Sequence, residues 1–278
     1  MGETVAAVVT HRLEPSRGWD VRGLAELWLY RELLYFFVWR DVKVRYKQTV
    51  LGVGWAVIQP VMAMGVFTIF FGRLAKVPSD GLPYPVFSLA GLVPWTYFAA
   101  ALTSGSGSLA AYQHVISKVY FPRLLVPLAA ALTPLIDFAV AFVVLLAVIA
   151  WYGVVPGARM AWLPGLMLLA IATAAAASVW LSALSVRYRD VRHVVPFAVQ
   201  LWLFATPVAY PASLVPQTWR ALYGLNPMAS VIEGFRWALV GGPSPGTMTL
   251  FSAVTVLVAL VSGLMYFKRA ERTFADIM

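Results

Sequence analysis

The chain has no cysteine, so disulfides and thiolate-held metals have no place in it. Its three histidines, His11, His114 and His193, are scattered without ligand spacing, and no catalytic metal is expected. Charge is scarce too, at 12% of residues against 61% hydrophobic ones. That is more apolar surface than one soluble core of this size hides, so lipid is the expected solvent for most of the chain. A glycine-rich phosphate loop with its lysine is missing, which excludes ATP binding by the usual P-loop. The chain of intramembrane acids that a proton-coupled carrier needs is missing as well. Neither paired acids nor an acidic metal motif occurs, which argues against a glycosyltransferase acting on a lipid carrier. If anything is moved uphill, the energy has to arrive through a partner.

What the chain does have is concentrated in residues 39–60, WRDVKVRYKQTVLGVGWAVIQP, where it turns from densely charged to almost wholly apolar. Arg40, Asp41, Lys43, Arg45 and Lys47 crowd the first part, and residues 48–72 carry no ionisable group. About 20 apolar residues suffice to cross the hydrocarbon core, so Lys47 marks a membrane surface. Cations flanking a span stay on the cytoplasmic side, which keeps the N-terminal residues inside. The net charge of +9 is therefore read as topology and lipid-headgroup contact rather than as affinity for nucleic acid. The apolar run at residues 5–9 is too brief for a signal-peptide core.

Taken in order, residues 1–23 lack periodicity and are expected to be a cytoplasmic tail. Over residues 24–47, Leu24, Trp28, Tyr35, Trp39, Val42 and Tyr46 form one stripe at helical spacing. That suits an amphipathic helix lying in the membrane interface, or else a helix packed on the protein's own core; Phe36 and Phe37 fall off the stripe. A six-span domain is expected over residues 48–267, with spans near 50–71, 84–103, 124–151, 162–185, 194–210 and 247–267. Pro94 is expected to kink the second. Residues 104–123 read as a cytoplasmic connector with a short helix, and residues 187–193 as a second charged cytoplasmic loop. Residues 211–246 are broken by prolines and glycines into pieces too short to cross, so they are expected to be re-entrant or interfacial outer helices. Within them Asn226 is placed as an N-cap with Pro227 at the first helical position, predicting a helix over 228–239. Residues 268–278 finish inside. Inner segments then hold 16 of the 21 lysines and arginines, and both termini are cytoplasmic. The chain shows no internal repeat of the kind that builds inverted-repeat transporters.

Several motifs in series carry a resemblance. RDVKVRYKQTVLGVGWAVIQP, ISKVYFPRLLVPL from Ile116, LSVRYRDVRHVVPF from Leu184, the Asn226–Pro227 helix start and the ERTFAD tail are similar, in this order, to the membrane subunit of ABC-2-type polysaccharide exporters. This is the O-antigen, capsule and teichoic acid export permease family, and the resemblance covers about residues 30–278. It implies an all-α integral membrane protein that pairs with a second copy of itself and with two copies of an ABC ATPase subunit. That subunit would bind ATP and magnesium; no cofactor is expected in this chain and no nucleic acid among its partners. The implied cargo is an undecaprenyl-diphosphate-linked polysaccharide crossing the inner membrane, O-antigen first, with teichoic acid or capsule as alternatives. An efflux permease for small amphiphiles shares the same six-span plan. The resemblance also makes residues 114–122 a coupling helix and places short helices over residues 216–239 at the exit.

Site residues follow from chemistry and resemblance together. Aromatic rings stack on the C–H faces of sugars without demanding one sugar, and in the family spans one and five border the route. Trp55, Gln59, Trp202 and Tyr210 are nominated as channel lining, with Trp95 and Tyr97 as weaker candidates; interfacial anchoring explains such rings equally well. Arg40, Lys43, Arg45 and Lys47 sit where a lipid diphosphate headgroup waits, although attraction to anionic lipid accounts for them too. His114, Lys118, Tyr120, Phe121, Arg123, Arg187 and Arg189 are the ATPase-docking candidates, or simply positive-inside anchors. Asp137, the only acid expected inside a span, reads either as a proton or ion site or, preferably, as a group hydrogen-bonded across helices. Glu233 and Arg236, three apart, are expected to pair locally, lipid-diphosphate contact being the alternative.

Overall fold

With no water in lipid for unpaired peptide groups, a membrane-crossing chain has to pair them internally, and long unbroken apolar runs do so as helices. The computed structural model describes residues 27–47 and 54–272, and among these there are helices and no strand. The expected tail 1–23, the beginning of the interfacial helix, the junction 48–53 where span one was expected to start and residues 273–278 lie outside the described residues.

The elements are α1 (Arg31–Tyr46), α2 (Gly54–Phe67), α3 (Tyr84–Ala111), α4 (Gln113–Ile116), α5 (Leu125–Leu132), α6 (Leu135–Trp151), α7 (Leu163–Arg187), α8 (Val191–Ala205), α9 (Gln217–Tyr223), α10 (Pro227–Val240) and α11 (Met248–Glu271). α2 continues into a π-helical stretch, Thr68–Leu74, and 3-10 turns occupy Ala158–Trp162 and Ala212–Leu214. Five helical stretches are long and apolar enough to cross a membrane: Gly54–Leu74, Tyr84–Ala111, Leu125–Trp151, Ala158–Arg187 and Met248–Glu271. The sixth expected span is the 15-residue α8, whose rise of about 22 Å falls short of the ~30 Å hydrocarbon core. By length alone the count among the described residues is five.

α3 is the hub of the bundle. It packs along α7 and also meets α2, α5, α6, α8 and α10, whereas α11 lies against the other side of α7. α3 and α7 run close because their facing residues are small. A Cβ built at Gly105 would come within 2.3 Å of Ser178 Oγ and 3.0 Å of the Ser178 Cα, so only glycine permits this approach. In return the Ser178 hydroxyl donates to the Ala101 carbonyl at 3.2 Å, the small-residue glue of membrane helix pairs. This contact explains why the SGSGS stretch, expected to open a connector, is instead the last part of α3: the tertiary contact overrides its weak helix propensity. The connector is correspondingly shorter, and its helical portion is the single turn of α4 rather than residues 114–122. Span three is divided at Thr133 and Pro134 into α5 and α6, while Pro94 sits within a continuous α3.

Two buried clusters mark the two levels of the molecule. The larger gathers α3, α6, α7, α8 and α10, including Phe98, Leu145, Ile232 and Phe235. The smaller joins α1, the end of α3, α5, α7 and the end of α11 through Phe37, Tyr112, Phe121 and Phe267.

Replacing Gly105 by valine is expected to drive α3 and α7 apart at a cost of about 1–3 kcal/mol, the range for overpacking. Gly157, beside which a Cβ would meet nothing within 4 Å, is the control. Thermal unfolding in detergent should show a lowered transition for Gly105→Val and an unchanged one for Gly157→Ala.

Candidate functional site

At one end of the bundle α1 is latched to the membrane domain. Phe37, read from the sequence as lying off the helix's stripe, is the buried residue here, edge-on to Tyr112 at 5.0 Å and to Phe121 at 5.3 Å between ring centroids. Beside it the Tyr112 hydroxyl donates to the Asp41 carboxylate at 2.8 Å, and the Arg40 guanidinium lies 4.0 Å from the Tyr112 ring centre. One turn on, Arg45 and Tyr46 both donate to Asp137 at the start of α6. Burial first, then the hydrogen bond to Asp137, pushes the Tyr46 phenol up to about 12, so it remains the proton donor to that carboxylate.

The four nominated headgroup cations are thereby divided. Arg40 pairs with Asp41 at 3.1 Å and Arg45 with Asp137, whereas Lys43 and Lys47 are exposed, Lys43 lying 5.2 Å from the Trp39 ring centre. The expected stripe is also divided: Val42 faces the protein, while Trp28, Tyr35 and Trp39 face outward together with Phe36.

The docking candidates meet at this same end. His114, Lys118, Tyr120, Arg187 and Arg189 are exposed. Phe121 is buried against Phe37, and the Arg123 guanidinium donates to the Glu271 carbonyl at 3.2 Å. A Cβ at Gly107 would lie 3.8 Å from Arg192, so the start of α8 sits beside the end of α3. Residues far apart in sequence thus bring Lys118, Arg187, Arg189, Arg192, Lys268 and Arg269 to one basic end.

The lining candidates separate by depth. Trp55 and Gln59 lie on an exposed face of α2 with Met62. Trp202 is half-buried, edge-on to Phe98 at 5.3 Å, and Tyr210 shares a 2.7 Å hydrogen bond with Tyr223. Trp95 and Tyr97 are buried in the bundle, Tyr97 donating to the Ala131 carbonyl at 3.0 Å. The open face of α8 is a different one, Val194, Phe197, Leu201 and Phe204. Its spacing of three, four and three is the signal that sequence reasoning passed over in favour of the larger rings.

At the opposite end from the basic cluster the chain leaves α-helix between α8 and α9. Asn226 caps α10, its side-chain oxygen accepting from the Met228 N–H at 3.2 Å while its amide donates to the Thr206 hydroxyl at 2.9 Å. Glu233 and Arg236 pair at 2.9 Å as the spacing indicates, but they do so wholly inside the protein. The Arg236 guanidinium donates to the carbonyls of Pro207 at 2.6 Å, Val208 at 2.7 Å and Phe87 at 3.3 Å, and lies 3.6 Å from the Phe87 ring centre. Glu233 also accepts from the Ala212 N–H at 3.3 Å. Gly91 makes the room, since a Cβ there would meet Arg236 Nη2 at 2.7 Å. Further links close this end: Tyr84 donates to the Ala209 carbonyl at 2.7 Å, and Ser213 to Asp80 at 2.8 Å.

The sequence pattern of the ABC-2 type transporter family matches residues 32–240. Among curated proteins, the chain is 29% identical over 260 residues to the O-antigen export system permease protein RfbA of Myxococcus xanthus, covering 92% of this chain and 99% of that protein. It is 28% identical to the O-antigen export system permease protein RfbA of Klebsiella pneumoniae, covering 89% and 95% respectively. A more distant relative is the polysialic acid transport protein KpsM of Escherichia coli, at 23% identity over 84% of this chain and 91% of that protein.

Arg236→Met removes the partner of a buried carboxylate and the donor shared by the Phe87, Pro207, Val208 and Tyr210 carbonyls, which is expected to cost about 3–5 kcal/mol. Removing both charges, in Glu233→Leu with Arg236→Met, should restore part of that loss. Apparent melting temperatures in detergent decide: a double variant as unstable as Arg236→Met alone would mean the carbonyl contacts, not the ion pair, dominate.

Proposed function

The chain belongs to the ABC-2 type transporter family, and from that premise we propose that it is the membrane subunit of an ATP-driven exporter of lipid-linked O-antigen polysaccharide. One observation carries this reading: proteins named as O-antigen export permeases align with it over most of its length, at 92% of this chain and 99% of the relative in one case. The capsule reading is the second choice, favoured by the weaker likeness to a polysialic acid transport protein.

In this reading the basic end is cytoplasmic, as the positive-inside rule requires, and both termini are on that side of the inner membrane. α8 serves as the sixth span, with the non-helical stretch and α10 completing the distance that its 15 residues leave short. A second copy of the chain covers part of the apolar surface that α2 and α8 leave open. A partner ATPase, present twice, grips the basic end: Tyr120, Lys118, His114, Arg187 and Arg189 are exposed there, and Phe121 and Arg123 join that surface to α1 and α11. Pressure on the connector would reach Phe37, and through α1 the Asp137 contact in α6.

For the glycan, Trp55 and Gln59 on α2 and the half-buried Trp202 on α8 offer rings and an amide without a binding pocket. That suits a polymer that must slide, because weak repeated contacts do not trap it. Trp95 and Tyr97, packed in the bundle, support the wall rather than face the cargo. Lys43 and Lys47 are the cations left for a diphosphate or for anionic lipid, worth about 1 kcal/mol each near such a surface.

Deleting the gene is expected to remove the surface polysaccharide and to accumulate lipid-linked glycan in the cytoplasmic leaflet, with mass spectrometry identifying what is trapped. Unchanged surface glycan contradicts the proposal, and trapped capsule polymer moves it to the second reading.

A further inference from the structure

An apolar groove of about 280 Å³ lies between α6, the start of α7 and α10. α6 and α7 follow one another in sequence, yet each leans on α3 and its neighbours rather than closely on the other, and the groove is what remains between them. One wall is the stacked pair Phe138 and Phe142, with ring centres 5.7 Å apart, and Phe235 of α10 closes the base edge-on to Phe138 at 6.1 Å. The other wall is Met160, Leu163 and Met167. Its volume is roughly twice that of an engineered ~150 Å³ apolar cavity that stays dry and takes up benzene.

Beside Met160 the amphipathic groups change. Arg159 is exposed, and among the described residues no carboxylate pairs with it; its guanidinium lies 5.6 Å from the Trp237 ring centre, itself 6.4 Å from the Trp162 ring. Tryptophan rings settle at the level of lipid headgroups. Counting along the helices, Met167 lies about 7 Å below Trp162 and Phe142 about 13 Å below Trp151, both within the ~15 Å half-thickness of a bilayer's hydrocarbon core. An unpaired cation at headgroup level above an apolar slot at acyl-chain depth matches an amphiphile with an anionic head.

We propose that this groove holds one acyl chain of a resident phospholipid, with its phosphate at Arg159. Bilayer phospholipid is the amphiphile in excess around this surface, and mass action favours it. Its chain covers the half-exposed Phe138 and Phe142 rings, behind which Phe235 of α10 is already buried. This inference needs only that the bundle is embedded in a bilayer; it stands whatever cargo the protein carries.

The test uses the full chain in nanodiscs containing phosphatidylglycerol with a photoreactive diazirine on one acyl chain, and mass spectrometry of the labelled peptides. Labelling of the Met160 to Met167 peptide should exceed, several-fold, that of the open lipid-facing surface of α11 at Leu250 and Leu257. Met167→Trp, which fills the slot, and Arg159→Gln, which removes the cation, should each lower groove labelling and leave α11 unchanged. Met160→Trp is the second filling variant. Groove labelling no higher than that of α11 in the unaltered protein overturns the proposal without recourse to any variant. So does displacement of the label by a polyisoprenyl phosphate at concentrations where unlabelled phosphatidylglycerol has no effect, which would make the occupant a different lipid.

Discussion

Lipid offers no hydrogen bonds to the backbone, and wherever this chain abandons helix inside the bundle the protein must supply them itself. The stretch between α8 and α9 is such a place, and Arg236 is the answer to it. A single guanidinium satisfies the carbonyls of Phe87, Pro207 and Val208 while its charge is met by Glu233 and by the face of Phe87. A buried charge is tolerated only when paired and fully hydrogen-bonded, and here the pairing and the carbonyl cage serve the same end. The result ties α10 to α3 and to the end of α8, so the short outer helices are part of the bundle rather than a loose cap.

The opposite end obeys a different balance. α1 is held by ring packing and by two carboxylates, and magnitudes separate their roles. Burying a phenyl ring such as Phe37 contributes about 1.5–3 kcal/mol, whereas a partly exposed pair such as Arg45 with Asp137, each about one-third exposed, contributes about 0–1 kcal/mol. Packing therefore fixes where α1 lies, and Asp137 neutralises the Arg45 cation that α1 carries against α6. Because Phe37 touches both Tyr112 and Phe121 of the connector between α3 and α5, α1 and that connector are packed together.

How much of this was legible in sequence follows from the range of each interaction. The cap at Asn226, the proline after it and the Glu233 pairing with Arg236 act within a few residues, and spacing alone reveals them. Their depth is another matter, since nothing in a three-residue spacing says that Phe87 and Gly91 of another helix surround the pair. Asp137 was recognisable as a cross-helix group, but its partners lie 91 and 92 residues away. The SGSGS stretch reads as a breaker until Ser178 is placed against it. On α8, ring size drew attention to Trp202 and Tyr210, while the plain heptad-like stripe of Val194, Phe197, Leu201 and Phe204 faces outward. Local chemistry was readable; contact between distant helices was not.

If the basic end receives an ATPase and the chain conducts a lipid-linked glycan, the most direct measurement is transport by the purified components. The chain and its ATPase subunit would be reconstituted in proteoliposomes with undecaprenyl-diphosphate-linked O-antigen, and lectin access to the glycan followed across the bilayer. ATP should move glycan from the leaflet on the ATPase side to the opposite leaflet, and a hydrolysis-deficient ATPase should not. Glycan that stays in place while ATP is consumed, or that crosses equally well without it, would contradict the assignment of this chain as the conducting subunit.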